Sequence, residues 1–235
     1  MVALDASTGE TLWQTASLKD TCSHVSPLLI NHNGIPQIIG FSQEYVYGVN
    51  PVTGKIEWQF NDCDFIAKRG MDGIAINTPI YHNGKLFISN AYEMRSHMLE
   101  LNENATAVKV LWRNDDLSVH TGGMVLIDGT IYASNWFNNN NGDWVALDWN
   151  TGKTRYKTTW HGCSKGSIIA ADGLLYCYEE RRGNVALVNP NPDRFDIISH
   201  FRVNKGDGAH WAHPTIHNGI LYIRHGDALM AYKIK

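Results

Sequence analysis

Several things are scarce in this sequence, and each scarcity removes a class of function. No apolar run approaches the roughly 20 residues that a helix needs to cross a bilayer. Charge is sparse: 18% of the 235 residues are Asp, Glu, Lys or Arg, and the formal net charge is −3. With no basic excess, binding to a phosphate backbone has no electrostatic support, so no nucleic-acid partner is expected. The 4 cysteines, Cys22, Cys63, Cys163 and Cys177, form no C-x-x-C and no adjacent pair. A chain of this length folds without a disulfide staple, so free thiols are expected, with a cross-strand disulfide as the alternative. No long helical pattern occurs, nor any Gly-x-Ser-x-Gly element, and no carboxylate pair can be placed by spacing. No leader, cap or linker precedes Val2, which already reads as strand.

What is present is glycine, aromatic residues and a repeat. The chain has 21 Gly, 8 Trp, 10 Tyr and 7 Phe, and at 43% hydrophobic it is too apolar to be disordered. Five segments share an apolar strand, then Asn-Gly or Asp-Gly, then a second strand, with turn glycines at Gly34, Gly84, Gly129, Gly173 and Gly219. Their separations are 50, 45, 44 and 46 residues. Such a dipeptide between apolar runs predicts a type I′ hairpin, because both central residues need positive φ. His32, His82 and His217 directly precede these turns and read as exposed hairpin positions.

A second hairpin follows half a repeat later. Val2-Ala3-Leu4-Asp5 leads to Ser7-Thr8-Gly9 and Trp13; Val49-Asn50 leads to Thr53-Gly54 and Trp58; Ala146-Leu147-Asp148 leads to Thr151-Gly152 and Tyr156. Asp or Asn at the start of such a turn bonds its own backbone, and the closing Gly takes a left-handed conformation. Each period therefore holds four short strands, A to D, inner to outer. Four antiparallel strands per roughly 45 residues is the arithmetic of a β-propeller blade. The expected fold is all-β, with complete blades over 26–60, 77–113, 122–160 and 167–203. Residues 2–15 supply C and D strands, and 213–233 supply A, B and C strands. Trp13, Trp58, Trp112 and Tyr156 recur on strand D and are expected to pack between neighbouring blades.

The element Ala3-Leu4-Asp5-Ala6-Ser7-Thr8-Gly9-Glu10-Thr11-Leu12-Trp13, with copies at 50–58 and 146–156, resembles the repeat of the quinoprotein dehydrogenase-like β-propellers. That superfamily includes the pyrroloquinoline quinone (PQQ) dehydrogenases and the non-catalytic propeller of the outer-membrane assembly machinery. The C-terminal third, with Trp160-His161-Gly162, Tyr176-Cys177-Tyr178 and Trp211-Ala212-His213-Pro214, looks like the PQQ-binding-like repeat proteins of bacterial genomes. These are typically exported, so the resemblance implies a periplasmic or secreted protein. Catalytic members hold PQQ over a Trp, beside a Ca²⁺ site of Glu, Asn and Asp and an Asp base. No Glu/Asn/Asp set matches here position by position. PQQ with Ca²⁺ therefore stands as an implication of the resemblance without a matched site.

Rings of this type have about seven or eight blades, and this chain has material for about five. The C strand at Val2–Asp5 duplicates the one at Met230–Lys233, so the sequence reads as the C-terminal part of a longer ring. Open edges would then be covered by missing blades or by self-association.

Binding residues in such a scaffold are expected on the connections from strand D to the next strand A, which line the central funnel. The candidate set is His24, Arg69, Asp72, His120, His161, Lys165, His210, Trp211 and His213. Convergent imidazoles suit an anionic small molecule or a metal, although propeller loops are polar in any case and histidines there can simply bond neighbouring loops. No catalytic residue and no recognised metal spacing is assigned. The stretch Trp136–Trp144 reads as a long, mobile B–C loop, and Glu179-Glu180-Arg181-Arg182-Gly183 as a solvated charged hairpin. The sequence thus points first to a binding or scaffold module with a protein or small-molecule ligand. The alternative is part of a PQQ-dependent oxidoreductase, acting on an alcohol or a sugar.

Overall fold

The computed structural model describes residues 1–62, 75–92, 94–160 and 165–234. Among these, the strands form six antiparallel sheets, and α-helix is absent. The chain divides into two compact units, residues 1–113 and 114–235.

The first unit opens with a two-stranded sheet, β1 (Val2–Leu4) and β2 (Thr11–Gln14). Two four-stranded meanders follow. One comprises β3 (Leu28–His32), β4 (Ile35–Phe41), β5 (Tyr45–Val49) and β6 (Ile56–Asn61). The other comprises β7 (Ile80–His82), β8 (Lys85–Asn90), β9 (Arg95–Leu101) and β10 (Val108–Asn114). The second unit holds β11 (Val119–Ile127), β12 (Thr130–Asn138), β13 (Asn141–Asp148) and β14 (Thr154–Thr158), then β15 (Gly166–Ala171), β16 (Leu174–Glu179), β17 (Asn184–Asn189) and β18 (Asp196–Arg202). It ends in a three-stranded sheet, β19 (Thr215–His217), β20 (Ile220–His225) and β21 (Ala228–Lys233). In every sheet strands consecutive in sequence are neighbours, which is the blade pattern of a β-propeller.

Local chemistry accounts for the turns. Asn33, Asn83, Asp128, Asp172 and Asn218 have φ between 46° and 53°, and the glycine after each is also positive. These are the type I′ positions the sequence required. In the other hairpins, Asp5 Oδ1 accepts the amides of Ser7 and Thr8 at 2.9 Å, and Asp148 Oδ1 those of Asn150 and Thr151 at 3.0 and 2.8 Å. Asn50 does the same for Val52 and Thr53.

Large rings join the sheets inside each unit. In the first, Trp13 Nε1 donates to the Pro51 carbonyl at 2.9 Å, and its ring lies where a Cβ on Gly54 would come within 2.6 Å. Trp58 is buried and donates to Gln37 Oε1 at 2.9 Å, while Gln37 Nε2 donates to the Ala105 carbonyl. In the second, Trp144 stacks on Phe195 at 5.5 Å, and Tyr156 packs against a core of Tyr132, Trp160, Ile168 and Val188. Trp13→Phe keeps the ring and removes the indole donor. Chemical denaturation should show a loss of about 1 kcal/mol, the usual worth of one such bond.

Two local expectations are corrected. His32 is buried, not exposed: its ring meets the Tyr81 hydroxyl at 3.0 Å and the Asn102 carbonyl at 2.9 Å, because its hairpin leans on the neighbouring sheet. His82 and His217 are exposed as read. Trp136–Trp144 is not a long loop but two strands meeting in a tight turn, with Asn138 Oδ1 accepting the amides of Asn140 and Asn141 at 2.8 and 3.0 Å. Trp144 is buried within β13. The cysteines that are described, Cys22 and Cys177, are free thiols, the first exposed and the second buried.

Candidate functional site

The connections from D to A strands and the B–C hairpins meet at one end of each sheet, since β15 starts at Gly166 opposite Glu179, the last residue of β16. Of the nine candidates, Arg69, Asp72 and His161 lie outside the described residues. His24 belongs to the first unit, where it is exposed and its amide donates to the Ala75 carbonyl at 3.0 Å. The other five are in the second unit.

Lys165 immediately precedes β15. Its ammonium pairs with Glu180 Oε1, and both side chains are buried. The backbones of the two residues are joined as well, by Glu180 N–H donating to the Lys165 carbonyl at 3.0 Å. His120, half-buried on β11, sits 6.3 Å from the Trp136 ring. Burial, and then the nearby Lys165 charge, hold its pKa below the ordinary histidine value.

His210 is buried in the β18–β19 connection. Its amide donates to the Glu180 carbonyl at 3.0 Å, and its Nδ1 is hydrogen-bonded with the Tyr178 hydroxyl at 2.5 Å. Its ring stacks on His225 with centroids 3.6 Å apart and lies against Gly183, where φ is +72° and a Cβ would strike the imidazole. Burial first, then the His225 ring, push the His210 pKa down to about 4. His225 is fixed by two carbonyls, Nδ1 to Lys205 at 2.7 Å and Nε2 to Gly208 at 2.9 Å. Trp211 is 60% exposed, and His213 reaches across to the Thr121 carbonyl at 2.5 Å. Lys165 and His210 are thus linked through Glu180, with His120 close enough to Lys165 to feel its charge, whereas Trp211 is exposed.

Sequence reasoning missed Tyr178, Glu179, Glu180 and His225. The charged hairpin is not simply solvated. Both oxygens of buried Glu179 are taken by the amides of Arg181 and Arg182 at 2.8 Å, with Asn184 Nδ2 at 3.1 Å. The usable signal was topological: residues ending strand B share an end with the residues that begin strand A. The first unit holds a second buried polar group, in which Asp62 Oδ1 is 3.2 Å from His97 Nδ1 and Asp62 Oδ2 accepts from Asn90 at 3.0 Å.

The donor set can be tested against the Ca²⁺ and quinone of the catalytic propellers. Among the described residues, no three His, Cys, Asp or Glu side chains group so as to hold a metal ion. The two loop-end carboxylates of the β16–β17 hairpin are satisfied by their own hairpin and by Lys165. At this loop end the two carboxylates are thus committed to the protein's own groups.

No curated protein matches the chain. Among solved structures it is similar to BamB from Moraxella catarrhalis, at TM-score 0.71 and 18% identity over 97% of this chain and 64% of that one. It is also similar to the quinohemoprotein alcohol dehydrogenase of Comamonas testosteroni, at TM-score 0.67 and 15% identity over 94% of this chain and 48% of that one. A europium-containing methanol dehydrogenase matches at TM-score 0.57 and 14% identity, over 99% of this chain and 53% of that one. These likenesses establish the fold, and the chain spans less than two thirds of each of these proteins. A family model described as outer membrane protein assembly factor BamB matches residues 1–158, and with those repeats at that length the chain belongs to this family of PQQ-like β-propeller repeat proteins.

Proposed function

We propose that the chain is a non-catalytic binding or scaffold module. The reading is carried by how the reactive side chains at the loop end of the second unit are spent. Lys165 is on Glu180, Glu179 on its own hairpin, His225 on two carbonyls, and His210 Nδ1 on Tyr178. A general base or metal ligand needs a lone pair aimed at a reactant; these groups are aimed at one another. The second unit's connections that carry His120, Lys165, His210, Trp211 and His213 are its proposed ligand-facing end, and the connection that carries His24 is a candidate of the first unit by itself.

The second reading, part of a quinoprotein oxidoreductase, draws on the likeness to the two dehydrogenase folds. The experiment that separates them adds PQQ and Ca²⁺ to the purified protein and follows quinone absorbance and dye-linked alcohol oxidation. The expected result is no turnover; saturable quinone binding with turnover overturns the scaffold reading.

The blade partition of 2–15, 26–60, 77–113, 122–160, 167–203 and 213–233 within a seven- or eight-bladed ring is part of the same proposal, as is a periplasmic or secreted location like that implied for its relatives. Support comes from the sheets with fewer than four strands, which leave Leu12 64% and Leu229 70% exposed. Such apolar faces favour association. Gel filtration should show a mass that grows with protein concentration, and Leu12→Lys combined with Leu229→Lys should reduce that growth.

A further inference from the structure

The sequence Glu179-Glu180-Arg181-Arg182 is neutral when read as a string, but the fold sorts it by sign. Both glutamates are buried, Glu179 under its own hairpin amides and Glu180 against Lys165, while Arg181 and Arg182 are exposed at the tip. The next element adds to this surface. Arg202 is exposed at the end of β18 and donates from Nε to the Arg182 carbonyl at 2.9 Å, and Lys205 is exposed three residues on. The 3.0 Å bond from His210 N–H to the Glu180 carbonyl ties the connection that carries exposed Trp211 to the hairpin that carries Arg181. Exposed counter-charges on the adjoining connections are Asp207 and Asp227. The hairpin tip and the connections that adjoin it thus carry four exposed cations, two exposed anions and an exposed indole, on a molecule whose net charge is −3.

We propose that the β16–β17 tip and the β18–β19 connection form a docking surface for an acidic peptide segment of a partner protein, one that carries apolar residues between its carboxylates. Guanidinium forks pair with carboxylates through two parallel hydrogen bonds, and Trp and Arg are the residues that most often dominate interfaces. The buried glutamates matter to this chemistry. They hold the hairpin in shape without presenting a competing anion at the surface. The proposal rests on the binding-module reading and names the partner chemistry for it.

The test is fluorescence anisotropy of a labelled peptide of repeated Asp-Leu-Glu on the purified protein. Parallel arms use a peptide of repeated Lys-Leu-Lys, a single-stranded oligonucleotide and phosphatidylglycerol vesicles. The acidic peptide should bind and weaken with added salt, as an interface steered by charge does. Arg181→Glu with Arg182→Glu should weaken it at least tenfold, and Trp211→Ala roughly tenfold, about the cost of a modest hot spot. If near-ultraviolet circular dichroism shows that the charge reversal disturbs the fold, Arg181→Gln with Arg182→Gln decides instead. Unchanged affinity in these variants, equal binding of the lysine peptide, or arginine-dependent binding of oligonucleotide or vesicles without the acidic peptide overturns the proposal. Quinone turnover would sink the module reading by itself; the peptide result decides this surface in either case.

Discussion

Lys165→Met should destabilise the protein by about 3–5 kcal/mol, the typical cost of stranding one member of a buried ion pair. Lys165 and Glu180 are only 2% and 7% exposed, so removing the ammonium leaves a carboxylate with little water to turn to. The damage should extend along the backbone, since Glu180 bonds Lys165 through its amide and His210 through its carbonyl. The double variant Lys165→Met with Glu180→Leu should recover most of the loss, because replacing both charges by apolar groups of similar size is often neutral. Urea denaturation of the two variants checks this: equal losses would mean that the pair is not what holds these strand ends. Nuclear magnetic resonance offers a second readout. Lys165 is one of the two causes that depress His120, so in Lys165→Met the His120 titration should move part of the way back toward its ordinary value.

Stability should also fall as the medium is acidified from about pH 6.5 to about pH 4, and His210 sets that window. In the unfolded chain an imidazole takes up its proton near 6.5. In the folded protein His210 does so only near 4, because it is buried and stacked on His225. Between these values the unfolded state binds more protons, so stability drops as pH falls; above the window the contribution is intact, and below it no further loss accrues. The loss is at most of the order of 3 kcal/mol, since each pH unit between the two midpoints is worth about 1.4 kcal/mol. Carboxylates held low, such as Asp116 and Asp148, add their own loss at still lower pH. Comparison with His210→Gln isolates the histidine. The variant should show a flatter profile between pH 4 and 6.5, and a profile parallel to the parent's would refute the assignment.

The fold was legible because its signals are local. An Asn-Gly step dictates positive φ within two residues, and Asp5 or Asp148 closes its turn within three. The site was less legible because its partners are distant in sequence and obey no spacing rule. His32 is buried by a carbonyl 70 positions away, and His213 is held by one 92 positions away. His225 follows a hairpin pattern like any other strand B end, and nothing in that pattern says it will stack on His210. The Glu-Glu-Arg-Arg string gives the charges but not which of them the fold turns inward. Strand order could place the loops at a common end, whereas the direction of each side chain is settled by packing between sheets.

The consecutive strand order in every sheet also bears on how the chain reaches this state. All-β proteins usually fold slowly, because their strands pair across long stretches of sequence. Here each ladder closes between neighbours, and the longest loop to be closed before a sheet forms is a single short turn. The entropy cost of closure is therefore low within a sheet, whereas contacts between sheets, made by rings such as Trp13 and Trp144, join residues farther apart in sequence. In repeat architectures of this kind stability is close to a sum over units and their interfaces. A break placed between two sheets thus leaves every strand ladder whole and removes the contacts across one boundary, such as the backbone bond from His210 to Glu180.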